Sequence, residues 1–174
     1  MATENVKSSP KARVVVQQCL SAKLMVQPPS DDHAEEAKYV EIKRGVVLYI
    51  SFLKGATENI VTKMVSSLLA VRLCEPESGK LVSVMDLPGS ILIVPQACLG
   101  GKMKGKAIQY HDNLDKTEGR QLYDIFVSEC TRMFSSSVVN HEASTTCVRA
   151  GTYGNRQVLS INTNGPYTHI FDFS

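Results

Sequence analysis

The chain has 174 residues, a length that makes one domain with a self-supporting core. Its 19 Lys and Arg against 17 Asp and Glu leave a formal charge of +2, so overall charge neither demands nor excludes a nucleic-acid partner and local clustering has to decide. The 5 cysteines (Cys19, Cys74, Cys98, Cys130 and Cys147) include no CxxC pair, which argues against a disulfide framework or a thiolate metal centre and fits free thiols in a reducing compartment. The apolar runs are too short to span a bilayer, and MATENVKSSPK at the N-terminus lacks the apolar centre of a signal peptide. A soluble cytoplasmic protein without a membrane partner is the expectation.

Residues 1–11 are polar and read as a disordered tail, leaving 12–174 as a single domain. RVVVQQCL (13–20) and AKLMV (22–26) read as strands, followed by QPPSDDHAEEAK (27–38), a charged, Pro-rich surface loop of unassigned role. YVEI (39–42) and GVVLYISF (45–52) return to a sheet, and the second run is apolar enough for a central strand. TENIVTKMVSSLLAVRL (57–73) starts as an amphipathic helix, with Val61, Met64, Val65, Leu68 and Leu69 on one stripe and Thr57 at the N-cap. LVSVMD (81–86) and SILIVPQACL (90–99) read as strands around a turn. A loop spans 100–116, and a second helix (117–134) buries Leu122, Phe126, Cys130 and Met133. TTCVRAG (145–151), RQVLSIN (156–162) and YTHIFDF (167–173) complete the strands. Many strands and two helices without alternation predict an α+β fold, an antiparallel-rich, barrel-like sheet core with two main helices.

Two stretches stand out chemically. In VPQACLGG (94–101) an apolar strand runs into Pro95 and Gln96, then into small residues and glycines. Proline marks a strand terminus or edge, and glycine admits close approach to the backbone, so exposed N–H groups there can form an oxyanion hole. In NTNGPY (162–167), Gly165 tolerates unusual dihedrals and Pro166 removes a donor, leaving the Gly165 carbonyl rigidly displayed. Lys102, Lys104 and Lys106 around Gly105 suit phosphate contacts, with a solvated loop as the competing reading. The four histidines, His33, His111, His141 and His169, are scattered without metal-ligand spacing, and no metal or cofactor is expected. Cys98 with a distant histidine base is the nucleophile reading, though a lone cysteine flanked by Ala and Leu at a strand end more often serves packing.

Taken together, these motifs resemble the D-aminoacyl-tRNA deacylase family over about residues 12–173. PQACL (95–99) matches the family's SQFTL, NGPYT (164–168) matches the end of NxGPVT, RVVVQQ matches the opening strand, KMKGKA matches a basic loop and GTYGN (151–155) a glycine-containing loop. Proline at the serine position, alanine at the phenylalanine and glycines after the leucine resemble the animal-type branch. Cys98 departs from the threonine usual there, and 27–38 is longer than the usual hairpin turn.

The resemblance implies the deacylase fold and a homodimer that hydrolyses the ester between an amino acid and the terminal ribose of tRNA. It implies backbone oxyanion donors at Ala97, Cys98 and Leu99, with Gln96 orienting the ribose and the RNA's own 2′-hydroxyl assisting attack. Pro95, Gly165, Pro166, Tyr167 and Thr168 would bound the aminoacyl pocket, and Lys102, Lys104 and Lys106 would hold phosphates. The branch implies a trans Gly-Pro bond and relaxed selectivity, extending from D-aminoacyl-tRNA to glycyl-tRNA and L-alanyl-tRNA(Thr). Aminoacyl-tRNA and a second copy of the chain are then the partners, with no DNA. A non-catalytic tRNA-binding module and a Cys98-dependent ester hydrolase are the rival readings.

Overall fold

A computed structural model describes residues 9–31, 34–137 and 146–174. The tail at 1–8, and with it most of the expected disordered segment, lies outside the described residues, as do His33 and His141. In chain order the strands are β1 (Ala12–Cys19), β2 (Ser21–Gln27), β3 (Lys38–Ile42), β4 (Gly45–Phe52), β5 (Ser90–Pro95), β6 (Lys102–Lys104), β7 (Ala107–Gln109), β8 (Val148–Ala150), β9 (Leu159–Asn162) and β10 (Thr168–Phe173). Helix α1 (Glu58–Ala70) lies between β4 and β5, and α2 (Lys116–Ser137) between β7 and β8.

The main sheet has 5 strands in the order β10-β1-β4-β5-β8, and a second has 3 in the order β3-β2-β9. β1 is antiparallel to β10 and β4, whereas β4, β5 and β8 run parallel. The α+β class holds, with open, mixed sheets in place of the expected barrel-like core. The parallel run arises because α1 and α2 carry the chain back across the sheet, a helical crossover that parallel neighbours require.

Strand alternation sorts the core into two layers. Val46, Leu48 and Ile50 of β4, with Ile91 and Ile93 of β5, pack under the helices against Val61, Met64, Val65, Leu122 and Phe126. Val47, Leu92 and Val94 point the other way, to Ala22, Leu24 and Ile42 of the smaller sheet. Strands covered on both faces must be apolar at every position, which is why SILIV and GVVL lack polar alternation.

The structure corrects several local expectations. Residues 81–86 form no strand. Cys74 and Val82 make one isolated bridge, after which Ser83 Oγ accepts from Asp86 N at 3.1 Å and donates to its carboxylate at 2.7 Å, capping a turn. The loop 100–116 contains the β6–β7 hairpin, turning at Gly105 with φ 61°. Thr57 occupies the N-cap of α1 without a side-chain cap bond, and the helix stops at Ala70, short of residue 73. At α2 the cap is Asp115, whose Oδ1 accepts from Thr117 N at 2.8 Å; that bond and the one from Glu118 N hold its carboxyl below the usual range.

Candidate active site

β5 ends at Pro95, paired beside Ile50 of β4, and Gln96 N donates to Ile50 O at 2.8 Å. The chain then winds into a short 3-10 turn, Ala97–Gly100. Its backbone is pinned from several directions. Leu99 N donates to Gln96 O at 3.2 Å, Gly101 N to Cys98 O at 3.0 Å, Asn113 Nδ2 to Ala97 O at 2.9 Å and Arg13 Nη1 to Leu99 O at 3.3 Å. Gly100 is required by close approach: a Cβ there would sit 1.9 Å from Asn113 Oδ1 and 2.8 Å from Leu53 Cδ2.

This wiring leaves the N–H groups of Ala97 and Cys98 without a backbone acceptor among the described residues, and both residues are exposed. Leu99, expected as a third donor, spends its N–H inside the turn. Among the described residues the Gln96 side chain has no hydrogen-bond partner. Cys98 is an exposed free thiol whose sulfur has no hydrogen-bond partner among the described residues. Cys19, Cys74 and Cys130 belong instead to the core, and burial pushes their thiols up to about 11, 11 and 12.

The turn forms a wall between two clefts. One, of about 370 Å³, is bounded by Pro95, Ala97, Asn113, Lys116, Tyr153 and Gly154. Tyr123, on the buried face of α2, places its hydroxyl 2.8 Å from Gly151 O and 3.2 Å from Ile93 O, tying the 151–155 loop to β5. Gly119 makes room for Tyr153, whose hydroxyl would lie 2.4 Å from a Cβ at that position, and the Arg120 guanidinium sits 5.7 Å from the Tyr153 ring. The other cleft, of about 490 Å³, is bounded by Arg13, Lys54, Gly101, Lys102, Asp112 and Asp172. Arg13 grips Asp172 at 2.7 and 2.9 Å and holds its carboxyl below the usual range; Lys102 pairs with Asp112 and does the same there. Lys104 and Lys106 are exposed and form no ion pair among the described residues.

The Gly165–Pro166 turn has the peptide isomer that the resemblance implies but not the displayed carbonyl that the motif suggests. Its peptide bond is trans, and Gly165 has φ 153°, a region that favours glycine. The Gly165 carbonyl is not displayed. It accepts from Tyr167 N at 2.8 Å, and the Thr163 hydroxyl and Gln17 Nε2 lie 2.7 and 3.4 Å from it. The Thr168 hydroxyl is held by Gln17 Oε1, and the Tyr167 ring lies 5.3 Å from that of His169. Beneath this turn, Gln18 is 2% exposed; its Oε1 accepts from Glu75 N at 2.8 Å and its Nε2 lies 3.5 Å from Asn164 Oδ1.

A single chain does not join the two motifs. Gly165 contacts Gln17, whereas the 97–100 turn contacts Arg13. These residues are four apart on β1, roughly 13 Å along a strand at about 3.3 Å per residue. Asn113, Arg13 and Tyr153 escaped the sequence reading. Arg13 left a trace only as the head of RVVVQQ, and Tyr153 only within the glycine-containing GTYGN stretch.

The family model for D-Tyr-tRNA(Tyr) deacylase matches residues 15–172. D-aminoacyl-tRNA deacylase 2 of Danio rerio is 58% identical over 163 residues, covering 94% of this chain and 99% of the relative. The Homo sapiens protein of that name is 50% identical, covering 94% and 96%. The solved structure of a "probable eukaryotic D-amino acid tRNA deacylase" superposes with a TM-score of 0.76 at 32% identity, covering 93% of this chain and 99% of that one. A c-Myc DNA unwinding element binding protein has TM-score 0.74 at 24% identity, a likeness of fold alone. The chain therefore belongs to the D-aminoacyl-tRNA deacylase family of enzymes.

Proposed function

We propose that this protein edits aminoacyl-tRNA by hydrolysing the ester between the amino acid and the terminal ribose. The observation that carries this is the 97–100 turn, exposed at Ala97 and Cys98, pinned by Asn113 and Arg13 and holding two unclaimed N–H groups. Donors fixed before the reaction stabilise a developing oxyanion without reorganising, the largest single contribution in many acyl transfers. Ala97 and Cys98 supply these donors. Among the described residues no side-chain base is hydrogen-bonded to the Cys98 sulfur, and the 2′-hydroxyl of the RNA, adjacent to the ester, assists attack. Gln96 orients the ribose, Pro95 and Tyr153 bound the cleft, and Lys102, Lys104 and Lys106 hold the acceptor-end phosphates.

The active unit is a homodimer. Because Gly165–Pro166 and the 97–100 turn lie at opposite ends of β1, a second copy supplies Gly165, Pro166, Tyr167 and Thr168 as the wall of the pocket. The trans peptide bond, and a Gly165 carbonyl already engaged within the chain, support a wall that does not crowd the side-chain position. D-aminoacyl-tRNA, glycyl-tRNA and L-alanyl-tRNA(Thr) are the substrates on this reading. Among the described residues no helix is long and apolar enough to cross a membrane. On this reading the enzyme acts in the cytoplasm.

The test is release of amino acid from a panel of charged tRNAs. Turnover of glycyl-tRNA, a D-aminoacyl-tRNA and L-alanyl-tRNA(Thr), with L-threonyl-tRNA(Thr) spared, is the expected result. Binding without turnover of any of them contradicts it.

A further inference from the structure

The β6–β7 hairpin has two chemically different faces. Met103 pairs directly with Ile108, and strand alternation places Gly101 and Tyr110 on the same side. Met103 is 83% exposed, Ile108 60% and Tyr110 44%. A Cβ on Gly101 would lie 2.7 Å from Ile108 Cγ2 and 2.8 Å from Tyr110 Cε1, so the absence of a side chain there lets this apolar ledge close directly onto the backbone that leaves the 97–100 turn. The opposite face and the hairpin turn carry Lys102, Lys104 and Lys106. Lys102 is tied to Asp112, whereas the other two have no ion pair among the described residues.

An exposed apolar and aromatic ledge, edged by unpaired cations and continuous with the site, matches the chemistry of an unpaired RNA strand. Bases stack on aromatic and apolar faces without regard to sequence, while lysines follow the phosphates. We propose that Met103, Ile108 and Tyr110 form the platform on which the single-stranded 3′ end of the RNA stacks as it enters the site, with Lys104 and Lys106 carrying its backbone. This inference rests on the deacylase reading above.

The two faces respond differently to salt. Equilibrium binding of uncharged tRNA to the full protein is measured across a NaCl series. Tyr110→Ala and Met103→Ser weaken binding by about tenfold each and leave the salt slope unchanged, because stacking releases no counterions. Lys104→Gln with Lys106→Gln lowers the slope by about 1–2, as expected when up to two phosphate contacts are lost. Met103 is exposed enough that its variant keeps the fold, which far-UV circular dichroism checks. Unchanged affinity in both ledge variants overturns the proposal. So does a loss of affinity that accompanies a change in oligomeric state, which would make the ledge a contact between copies of the chain. Turnover of glycyl-tRNA by the unmodified protein is measured in parallel; tRNA binding without turnover counts against the deacylase reading and leaves the ledge standing.

Discussion

The side-chain amide of Asn113 donates to the carbonyl oxygen of Ala97 at 2.9 Å, and its own oxygen is buried against Gly100 with no hydrogen-bond partner. One side chain from a loop thus fixes the residue that carries a free N–H. Asn113→Ala is expected to lower kcat by about 10- to 100-fold with little change in KM, because oxyanion donors are worth their full effect only when aligned. Gly100→Ala pushes on the same amide, so the two changes are expected to be non-additive, and a double-mutant cycle on kcat reads this directly. Strict additivity would mean that Asn113 does not act through the turn.

Cys98→Ala is expected to retain activity within about threefold, since the role assigned to position 98 belongs to its N–H and survives the substitution. Steady-state hydrolysis of glycyl-tRNA by the variant is the measurement. Complete loss of turnover in a folded variant would restore the thiol as nucleophile.

Arg13 and Asp172 link β1 to β10 beside the turn. Asp172 is held below its usual range chiefly by its hydrogen bond from Arg13, so it contributes stability above the unfolded carboxylate pKa that is lost as pH falls through the lower folded value. Side-chain exposures of 35% and 43% keep the contribution small. Asp172→Asn is expected to cost less than about 1 kcal/mol near neutral pH, and the difference from wild type should vanish in acid, below the ordinary carboxylate range. Urea denaturation at both pH values tests the sign.

Gln18 supports the Gly165–Pro166 turn from below, accepting from Glu75 N at 2.8 Å while 2% exposed. Gln18→Leu leaves a peptide N–H without its acceptor and is expected to destabilise the fold by about 1–3 kcal/mol, measured as a shift in denaturant midpoint at constant m. A neutral result would show that water or a shifted backbone takes over the bond.

The legible parts of this sequence are those where local chemistry and final environment agree. The run 45–52 is apolar at nearly every position because β4 is covered on both faces. The strand end at Pro95 was readable because proline ends a strand and glycines follow, but the strand reading of 90–99 ran too far, since Ala97–Gly100 wind into a 3-10 turn. Residues 81–86 misled because Val82 and Val84 alternate like a strand, while Ser83 and Asp86 close a turn on each other instead. The hairpin at 102–109 was hidden by strands of three residues, too short for periodicity to register. Asn113 and Arg13 were illegible as site residues because they meet the turn from 16 and 86 positions away. The engaged Gly165 carbonyl depends on Thr163 and on Gln17 of β1, and the motif alone carries no sign of either contact.

The most direct test uses tRNA ending in 2′-deoxyadenosine and charged on the 3′ oxygen. If backbone donors in the 97–100 turn work together with the substrate's own 2′-hydroxyl, this substrate binds as tightly as the natural one and its hydrolysis is abolished. Undiminished turnover would contradict that account and require a protein group to take over the role.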